Sequence, residues 1–369
     1  MQYSSLSRAL RRGLVPVTFT WLLTLVSSLN GAEASSKFYF KNLTRTQDYI
    51  EVNPRFVNDG NYVLFLVFVG NPASPGPADY VLTKCDRDGH LIYYMSTRGV
   101  LDYNVLENES GVLVLKAVED PETATAESST PYEQQQAWEL WYINFENDEE
   151  VLLEASMGLP LSEGYRMLGL TDLPDSNLGQ IRSLSPHKTN QLLVKRDRVD
   201  DYWVFRYYRV TDDSEPDEVF RSESWVPLTD QEWWPTIRWL NESTFVTVSF
   251  NSALDEKFPQ SQGLFSIVSV DLEHGTGEVL YSDFDIHPFP KVVLSPSGQN
   301  LYFQKSRNGF SEIWRLNLVS RSAEILYRVE GELGEVRISP DETSLVFTQH
   351  TEDNFDIIRL DVDSGHLRR

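Results

Sequence analysis

One stretch near the C-terminus is written twice: KVVLSPSGQNLYFQKSRNGFSEIWRLNL at residues 291–318, and EVRISPDETSLVFTQHTEDNFDIIRLDV at residues 335–362. The Ser-Pro pairs that begin at Ser295 and Ser339 lie 44 residues apart. A chain that matches itself at a period of this size is typical of solenoids and propellers. The repeat therefore indicates an architecture more directly than it indicates an activity.

Each copy is typical of a β-hairpin followed by two more strands. In the first copy, residues 295–298 place Ser, Pro and Gly at the first, second and fourth positions of a type I turn. Apolar segments flank this turn, and a polar loop with Asn308 and Gly309 follows the hairpin. Further strands are predicted at residues 313–318 and 324–329. Four short strands in a period of roughly 40 to 50 residues make one propeller blade.

The same frame extends towards the N-terminus. The predicted hairpin turns begin at Asn58, Glu107, Ser185, Asn241, Ser295 and Ser339. The predicted third strands are 80–85, 138–145, 203–210, 265–272, 313–318 and 357–362. We therefore expect an all-β fold over residues 35–369, a six-bladed β-propeller of four-stranded antiparallel blades. A β-sandwich is the alternative, because it also consists of many short strands.

Two segments complete this prediction. The 78-residue step from Glu107 to Ser185 is longer than the others and contains about twenty additional residues around 158–180. The strand-like segment KFYFK, residues 37–41, precedes the first blade. We expect it to pair at the seam between the first and last blades, since an unpaired edge there favours aggregation.

The motif S-P-x-G-x-x-L-x-F, then a polar loop with N-G, then I-W-x-x-N-L, occupies residues 295–318. It resembles the blade repeat of the TolB family, which is also found in the propellers of prolyl oligopeptidases and dipeptidyl peptidases. The resemblance covers most of residues 50–369 and implies a propeller fold. It does not extend to the α/β domain that precedes the TolB propeller, and the chain lacks the G-x-S-x-G motif of a hydrolase domain. The resemblance thus implies the fold without a catalytic apparatus.

The first 34 residues are predicted to be a secretory signal peptide. Arg8, Arg11 and Arg12 form a basic start, residues 14–26 are apolar, and small residues precede the expected cleavage after Ala34. A retained membrane anchor is the alternative, but the apolar run is shorter than the roughly 20 residues needed to span a bilayer. We expect a periplasmic or secreted protein with no stable membrane insertion after cleavage.

Composition restricts the partners and the chemistry. The chain contains 55 Asp and Glu against 32 Lys and Arg, and its formal charge of −23 argues against nucleic acid or anionic lipid as partners. Its single cysteine, Cys85, indicates that no disulfide framework exists. The six histidines lack metal-ligand spacing, and no phosphate loop or dinucleotide fingerprint is present. We therefore predict no metal, no cofactor and no catalytic residues.

Aromatic and cationic residues near the starts of the inner strands indicate a binding face. Arg55, Arg182 and Arg238 each lie three residues before a predicted turn. They form either a cationic ring around the channel or ion pairs with acidic neighbours between blades. Trp and Arg are enriched at binding hot spots. The predicted ligand-binding residues are Arg55, Tyr103, Arg182, Trp233, Trp234, Arg238 and His287.

The sequence favours an exported, non-enzymatic propeller that binds a protein or peptide partner at its axial face. One alternative is a polysaccharide lyase or hydrolase that acts on an acidic glycan through the same arginines and aromatic residues. Another is a structural component of a surface assembly. No residue pattern names the partner.

Overall fold

The repeated Ser-Pro turn forms in three places with the same hydrogen bonds. In the computed structural model, the amide of Gly298 donates to the carbonyl of Ser295 at 2.8 Å, and the amide of Glu342 donates to that of Ser339 at 2.9 Å. Lys188 and Ser185 make the same contact at 2.8 Å. The fourth residue of each turn has a φ between 59° and 70°. The turn predicted from the repeat is therefore confirmed.

The serine hydroxyl closes each of these turns. Its Oγ accepts a hydrogen bond from the amide five residues later, at 3.0 Å in both the Ser295 and Ser339 turns and at 2.9 Å in the Ser185 turn. Serine is thus favoured at this position because its short side chain satisfies a backbone donor that the turn leaves without a ladder partner.

The structure describes residues 40–44, 50–70, 79–90, 92–96, 98–106, 110–118, 137–156, 164–165, 167–168, 174–175, 180–199, 202–211, 216–224, 235–250, 265–283, 292–307, 309–351 and 354–362. These residues form strands in five sheets. The predicted signal peptide lies outside the described residues. No helix in the described ranges is long and apolar enough to cross a membrane.

The largest sheet joins the two ends of the described chain. Its strands are β1 (Phe40–Asn42), β2 (Ile50–Val57), β3 (Tyr62–Phe68), β4 (Tyr80–Asp86), β5 (Ile92–Tyr94), β23 (Glu332–Ile338), β24 (Ser344–Thr351) and β25 (Asn354–Asp361). Their order is β23-β24-β25-β2-β3-β4-β5, and β1 also pairs with β25. All pairings within it are antiparallel except β2 with β25, which share the single parallel pair of Ile50 and Phe355.

The second, third, fourth and fifth sheets follow one another along the chain. The second sheet contains β6 (Val100–Val105), β7 (Gly111–Ala117), β8 (Trp138–Asn144) and β9 (Glu150–Ser156). The third contains β10 (Pro174–Asp175), β11 (Gln180–Leu184), β12 (Gln191–Val199), β13 (Tyr202–Val210) and β14 (Asp217–Ser224). The fourth contains β15 (Arg238–Trp239), β16 (Thr244–Phe250), β17 (Phe265–Asp271) and β18 (Thr276–Asp283). The fifth contains β19 (Val293–Leu294), β20 (Asn300–Arg307), β21 (Phe310–Asn317) and β22 (Ala323–Glu330).

This topology confirms the prediction of an all-β fold made of four-stranded antiparallel sheets. The third sheet gains its fifth strand, β10, from the additional residues recognised around 158–180. The predicted pairing at the seam is also confirmed for Phe40 and Lys41, which pair antiparallel with Leu360 and Arg359 on β25. The rest of the KFYFK segment lies outside the described residues.

The apolar core lies between neighbouring sheets. One cluster joins the third, fourth and fifth sheets, with Phe205, Phe245 and Leu301 at 0–1% exposure. Another joins the fifth sheet to β24 through Tyr302 and Leu345. Because each sheet is apolar on both faces, a sheet is stable only when a neighbour packs on either side. Phe38–Arg369 accordingly form one compact unit.

Candidate functional site

Three arginines occupy the same register position, each on the first strand of an antiparallel hairpin. Arg55 pairs with Leu64, Arg238 with Val246 and Arg337 with Val346. Each is the third pair counted outward from its turn, where the first pairs are Val57–Tyr62, Leu240–Thr244 and Ser339–Ser344. Side chains at one register position on equivalent strands point in equivalent directions. These three side chains therefore point towards one region of the molecule.

Arg55 reaches across to the second sheet. Its Nη1 donates to Oδ1 of Asn104 on β6 at 2.9 Å, and its guanidinium carbon lies 5.2 Å from the centre of the Tyr103 ring. Its Nε is buried and has no hydrogen-bond partner among the described residues. Arg55 is thus held by an amide and a ring, neither of which neutralises its charge.

The buried side chain of Tyr103 contacts both Arg55 and the strands next to it. The side chain is completely buried, and its hydroxyl hydrogen bonds to the carbonyl of Asn53 and lies 2.9 Å from that of Leu64. Burial raises the pKa of the phenol far above its usual range, so the hydroxyl stays protonated as a donor. Tyr103 therefore ties the first strand of the second sheet to β2 and β3.

Asn53 stands at a bulge in β2, where the pairing shifts between Val52 and Arg55. Its φ of 55° is in the left-handed region, which Asn tolerates better than most residues. Its Nδ2 donates to Oδ1 of Asp102 at 2.9 Å, and its own Oδ1 is buried without a partner in the described chain. Backbone strain and an unsatisfied buried acceptor at one residue are features that cluster at functional sites.

Asp102 is a half-buried carboxyl group on β6. Burial raises its pKa above the usual range, while Arg55, the amide of Tyr103 and the side chain of Asn53 act in the opposite direction. Loss of hydration thus outweighs the nearby cation. The site therefore holds this carboxyl group less readily ionised than a surface aspartate.

Arg337 on β23 lies near the charges of Glu335, Arg55 and Arg238. It forms an ion pair with Glu335, and its Nε is buried without a hydrogen-bond partner in the described ranges. Burial lowers the pKa of Arg337, Glu335 opposes that shift, and the charges of Arg55 and Arg238 add to it. Arg238 belongs to the fourth sheet and Arg55 to the first strands of the chain. Both charges act on Arg337, so the three guanidinium groups lie within electrostatic reach of one another.

We refer to this group as the central cluster. Its members are Asn53, Arg55, Asp102, Tyr103, Asn104, Arg238, Glu335 and Arg337. Its described members set three guanidinium groups against two carboxyl groups, in a chain whose formal charge is −23. It is thus a local excess of positive charge inside an acidic protein, where low polarity strengthens attraction for an anion.

The predicted ligand-binding residues divide into three groups. Arg55, Arg238 and Tyr103 meet in the central cluster, with the Tyr103 ring buried beneath Arg55. Arg182 is exposed, between the buried residues Ile181 and Ser183. Trp233, Trp234 and His287 lie outside the described residues.

The position of Arg182 follows from strand register. Counted from the serine of the shared turn, Arg182 lies three residues before Ser185, whereas Arg337 lies only two before Ser339. A shift of one residue moves a side chain to the opposite face of a strand. The residue of the third sheet that matches Arg337 is therefore Ser183, whose Oγ accepts a hydrogen bond from the Trp239 indole at 3.0 Å.

Sequence reasoning missed Arg337, Glu335, Asp102 and Asn53. The available signal was the distance from the turn: counting two residues back from Ser339 selects Arg337. The two arrangements expected for Arg55, Arg182 and Arg238, a cationic ring or ion pairs between blades, stay predictions. Arg337 pairs with an acidic residue, whereas Arg55 contacts an amide on the neighbouring sheet.

Other chemistry in the described part of the chain is limited. No group of three or more His, Cys, Asp or Glu side chains that could hold a metal ion occurs in these ranges. The Cys85 thiol is buried, and burial raises its pKa to about 12. His90, His187 and His274 are exposed.

Comparisons with known proteins identify the fold. No family model and no curated protein matches this chain. An oligogalacturonate lyase in complex with manganese superimposes with a TM-score of 0.51 at 12% identity, over 89% of this chain and 94% of that one. TolB from Acinetobacter baumannii gives a TM-score of 0.42 at 13% identity, over 83% of this chain. The β-propeller domain of the Trilobed protease from Pyrococcus furiosus gives 0.37 at 11%, over 86% of this chain and 84% of that domain.

The structural neighbours are TolB-like β-propellers, which confirms the resemblance seen in the repeat. At these identities the likeness concerns the fold alone. This chain spans 65% of the length of the Acinetobacter TolB.

Proposed function

We propose that this chain is an exported, six-bladed β-propeller that binds a protein or peptide partner through the central cluster. The observation that supports this most directly is the meeting of Arg55, Arg238 and Arg337 from three separate sets of strands at one place. Arginines are enriched at binding hot spots, because a guanidinium group combines a large contact surface with directed donors.

The proposed blade count is obtained by dividing the largest sheet between β2 and β25, where the described strands share one residue pair. On one side, β23, β24, β25 and β1 form a four-stranded antiparallel unit, and on the other β2, β3, β4 and β5 form a second. Between them, the described strands share the single parallel pair of Ile50 and Phe355. These two blades and the four remaining sheets make six. A crystal structure with five or seven blades would overturn this count.

The pairing of β1 with β25 is compatible with the proposed cleavage after Ala34. The N-terminal strand β1 completes the blade that begins with β23, so the beginning and the end of the propeller share one sheet. Phe40 packs edge-on against Tyr327 with ring centres 5.5 Å apart. The proposed mature chain, starting at Ser35, retains this strand in full, whereas the preceding 34 residues carry the targeting signal.

The partner is captured, in this proposal, by attraction between the arginines and an anionic group. The surrounding protein is acidic, so most anions are repelled at a distance and only a chain that reaches the axis gains the local attraction. This explains how a strongly acidic protein can be selective for one anionic partner rather than for anionic surfaces in general.

The test compares capture by wild-type protein and by variants of the cluster. The mature protein is immobilised and exposed to exported proteins from its source, with Arg55→Gln plus Arg238→Gln as the test variant. Arg182→Gln is the matched control, because that arginine is exposed and lies one register position away. We expect the double variant to lose capture at least about tenfold, since each charge-assisted hydrogen bond contributes roughly 1.5–3 kcal/mol.

Three results would contradict the proposal. Equal capture by the double variant and wild type would exclude the central cluster as the binding site. Equal loss in the Arg182→Gln control would indicate a general charge effect. Turnover of oligogalacturonate by the wild-type protein, abolished in the double variant, would establish the alternative of an enzyme acting on an acidic glycan.

A further inference from the structure

Within the central cluster, several buried polar atoms have no hydrogen-bond partner in the described chain. They are Nε of Arg55, Nε of Arg337 and Oδ1 of Asn53. Most buried polar groups in folded proteins are satisfied, so two donors and one acceptor left unsatisfied together require an explanation. They suggest a ligand with acceptor oxygens and, next to them, one donor.

The free protein already places a carboxylate in this cluster. Glu335 pairs with Arg337 and is more deeply buried than its partner, with side-chain exposures of 14% and 26%. Glu335 and Arg337 are two residues apart on β23, so the ion pair is local and does not link one blade to another. Such a pair can open by rotation of one side chain without disturbing a strand.

We propose that the central cluster binds the C-terminal carboxylate of an extended peptide, and that Glu335 occupies the carboxylate position until the peptide arrives. This inference rests on the proposed function, since it names the group of the partner that enters the site. The incoming carboxylate replaces Glu335 on Arg337 and accepts hydrogen bonds from Arg55. The last amide N–H of the peptide donates to Oδ1 of Asn53.

The proposal accounts for both kinds of unsatisfied atom. A peptide terminus carries two acceptor oxygens and an amide donor within one residue, which matches the two guanidinium Nε–H groups and the Asn53 oxygen. Arg55 and Asn53 are already fixed in place, by Asn104 at 2.9 Å and by Asp102 at 2.9 Å. Preorganised donors bind with less loss of side-chain entropy on association.

A peptide end fits this cluster better than a sugar acid. The aromatic ring of the cluster, that of Tyr103, has no exposed surface and is covered by the Arg55 guanidinium. Among the described members of the cluster, no open ring face is therefore offered to a sugar.

Isothermal titration calorimetry with the mature protein tests the proposal. The probes are N-acetyl trialanine with a free carboxylate, the same peptide as its C-terminal amide, and trigalacturonate. We expect binding of the free acid and none of the amide. Arg337→Gln should weaken binding at least about tenfold through loss of a charge-assisted contact, and Glu335→Gln should tighten it by removing the internal competitor. Arg182→Gln should leave it unchanged.

Circular dichroism and thermal melting establish that each variant is folded, and Arg55→Gln replaces Arg337→Gln if the latter is not. Equal binding of acid and amide, or no binding of the acid, would overturn the proposal. So would weaker binding in Glu335→Gln, because the carboxylate would then be part of the binding site. Binding of trigalacturonate without trialanine would replace the peptide with a uronate ligand.

The outcomes separate this inference from the proposed function. If the arginine variants lose partner capture but acid and amide bind equally, the function stands and the carboxylate inference fails. If trialanine binds through Arg337 but the arginine variants capture the partner as well as wild type does, the carboxylate site stands and the proposed function fails.

Discussion

Tyr103→Phe removes one oxygen atom from the buried interior and should both destabilise the fold and weaken the site. The ring has no exposed surface, and Phe fills nearly the same volume, so packing is preserved. The carbonyls of Asn53 and Leu64 lose the hydroxyl that now contacts them. A neutral hydrogen bond contributes about 1 kcal/mol and a buried unsatisfied group costs about 1–3 kcal/mol, so the free energy of unfolding should fall by about 2 kcal/mol.

Urea and thermal denaturation measure this loss. The entropy of unfolding is about 2.1 cal/mol/K per residue, so in a chain of this length about 2 kcal/mol lowers the Tm by about 3 °C. The same hydroxyl holds Asn53 in its left-handed conformation next to Arg55. Capture by the central cluster should therefore weaken in Tyr103→Phe, even in protein that is fully folded at the assay temperature.

Tyr207→Phe is the matched control for this experiment. Tyr207 is also fully buried, but its hydroxyl lies 2.9 Å from Oγ1 of Thr247, between the third and fourth sheets. We expect a comparable loss of stability with no change in binding. An unchanged urea midpoint in Tyr103→Phe would refute the tie between the two sheets. Equal weakening of binding in both variants would show that the effect is global and does not pass through Asn53.

Three further predictions concern acid stability, the thiol and export. Hydrogen bonds from hydroxyl groups, that of Ser185 first, lower the pKa of Glu242 from 4.5 to about 2. Because the folded-state pKa is the lower one, the stabilisation is complete above about pH 4.5 and is lost as the pH falls towards about 2; Glu242→Gln should flatten that decline in urea midpoints measured at each pH. The Cys85 thiol, with a pKa raised to about 12, should not react with a thiol reagent at about pH 8 until urea is added, and rapid reaction of folded protein would contradict its burial. N-terminal sequencing of protein from the native host should begin at Ser35, and an intact N-terminal segment would exclude cleavage.

The strands were predictable because their signals are local. The predicted third strand 138–145 corresponds to Trp138–Asn144, and 265–272 corresponds to Phe265–Asp271. Alternating apolar residues and a Ser-Pro turn specify such elements within a few neighbouring residues. The last predicted third strand, 357–362, begins later than the observed Asn354–Asp361, since the polar residues Asn354 and Asp356 flank Phe355 and separate it from the apolar pair Ile357–Ile358.

The composition of the site was less predictable because it depends on register. Turn lengths differ between sheets: three residues separate the last paired residues, Leu240 and Thr244, in the fourth sheet, but four separate Ser339 from Ser344. Counting from the start of each turn therefore aligned Arg182 with Arg55 and Arg238, and omitted Arg337. The bulge in β2 between Val52 and Arg55 also shifts the strand register, and no residue pattern in the sequence predicts it.

Equivalent positions in the central cluster carry different residues, and this difference bears on the kind of ligand that the cluster suits. At the register position of Arg55, Arg238 and Arg337, the fifth sheet carries Val293, paired with Tyr302, and the second sheet carries Asn104. Positive charge is thus carried by some of these equivalent positions and not by all of them. An even ring would suit a small symmetric anion, whereas an uneven one suits a ligand with a defined orientation.

Stability alone does not account for this cluster. Burial and the charges of Arg55 and Arg238 both disfavour the charged form of Arg337, and its Nε and that of Arg55 are left without partners in the described chain. Replacing buried ion pairs with apolar residues is often neutral or stabilising, so an otherwise apolar interior would fold as well without them. Unsatisfied donors held in place by Tyr103 and Asn104 are costs to folding that a bound anion would offset. These costs to folding favour the binding role proposed for the central cluster.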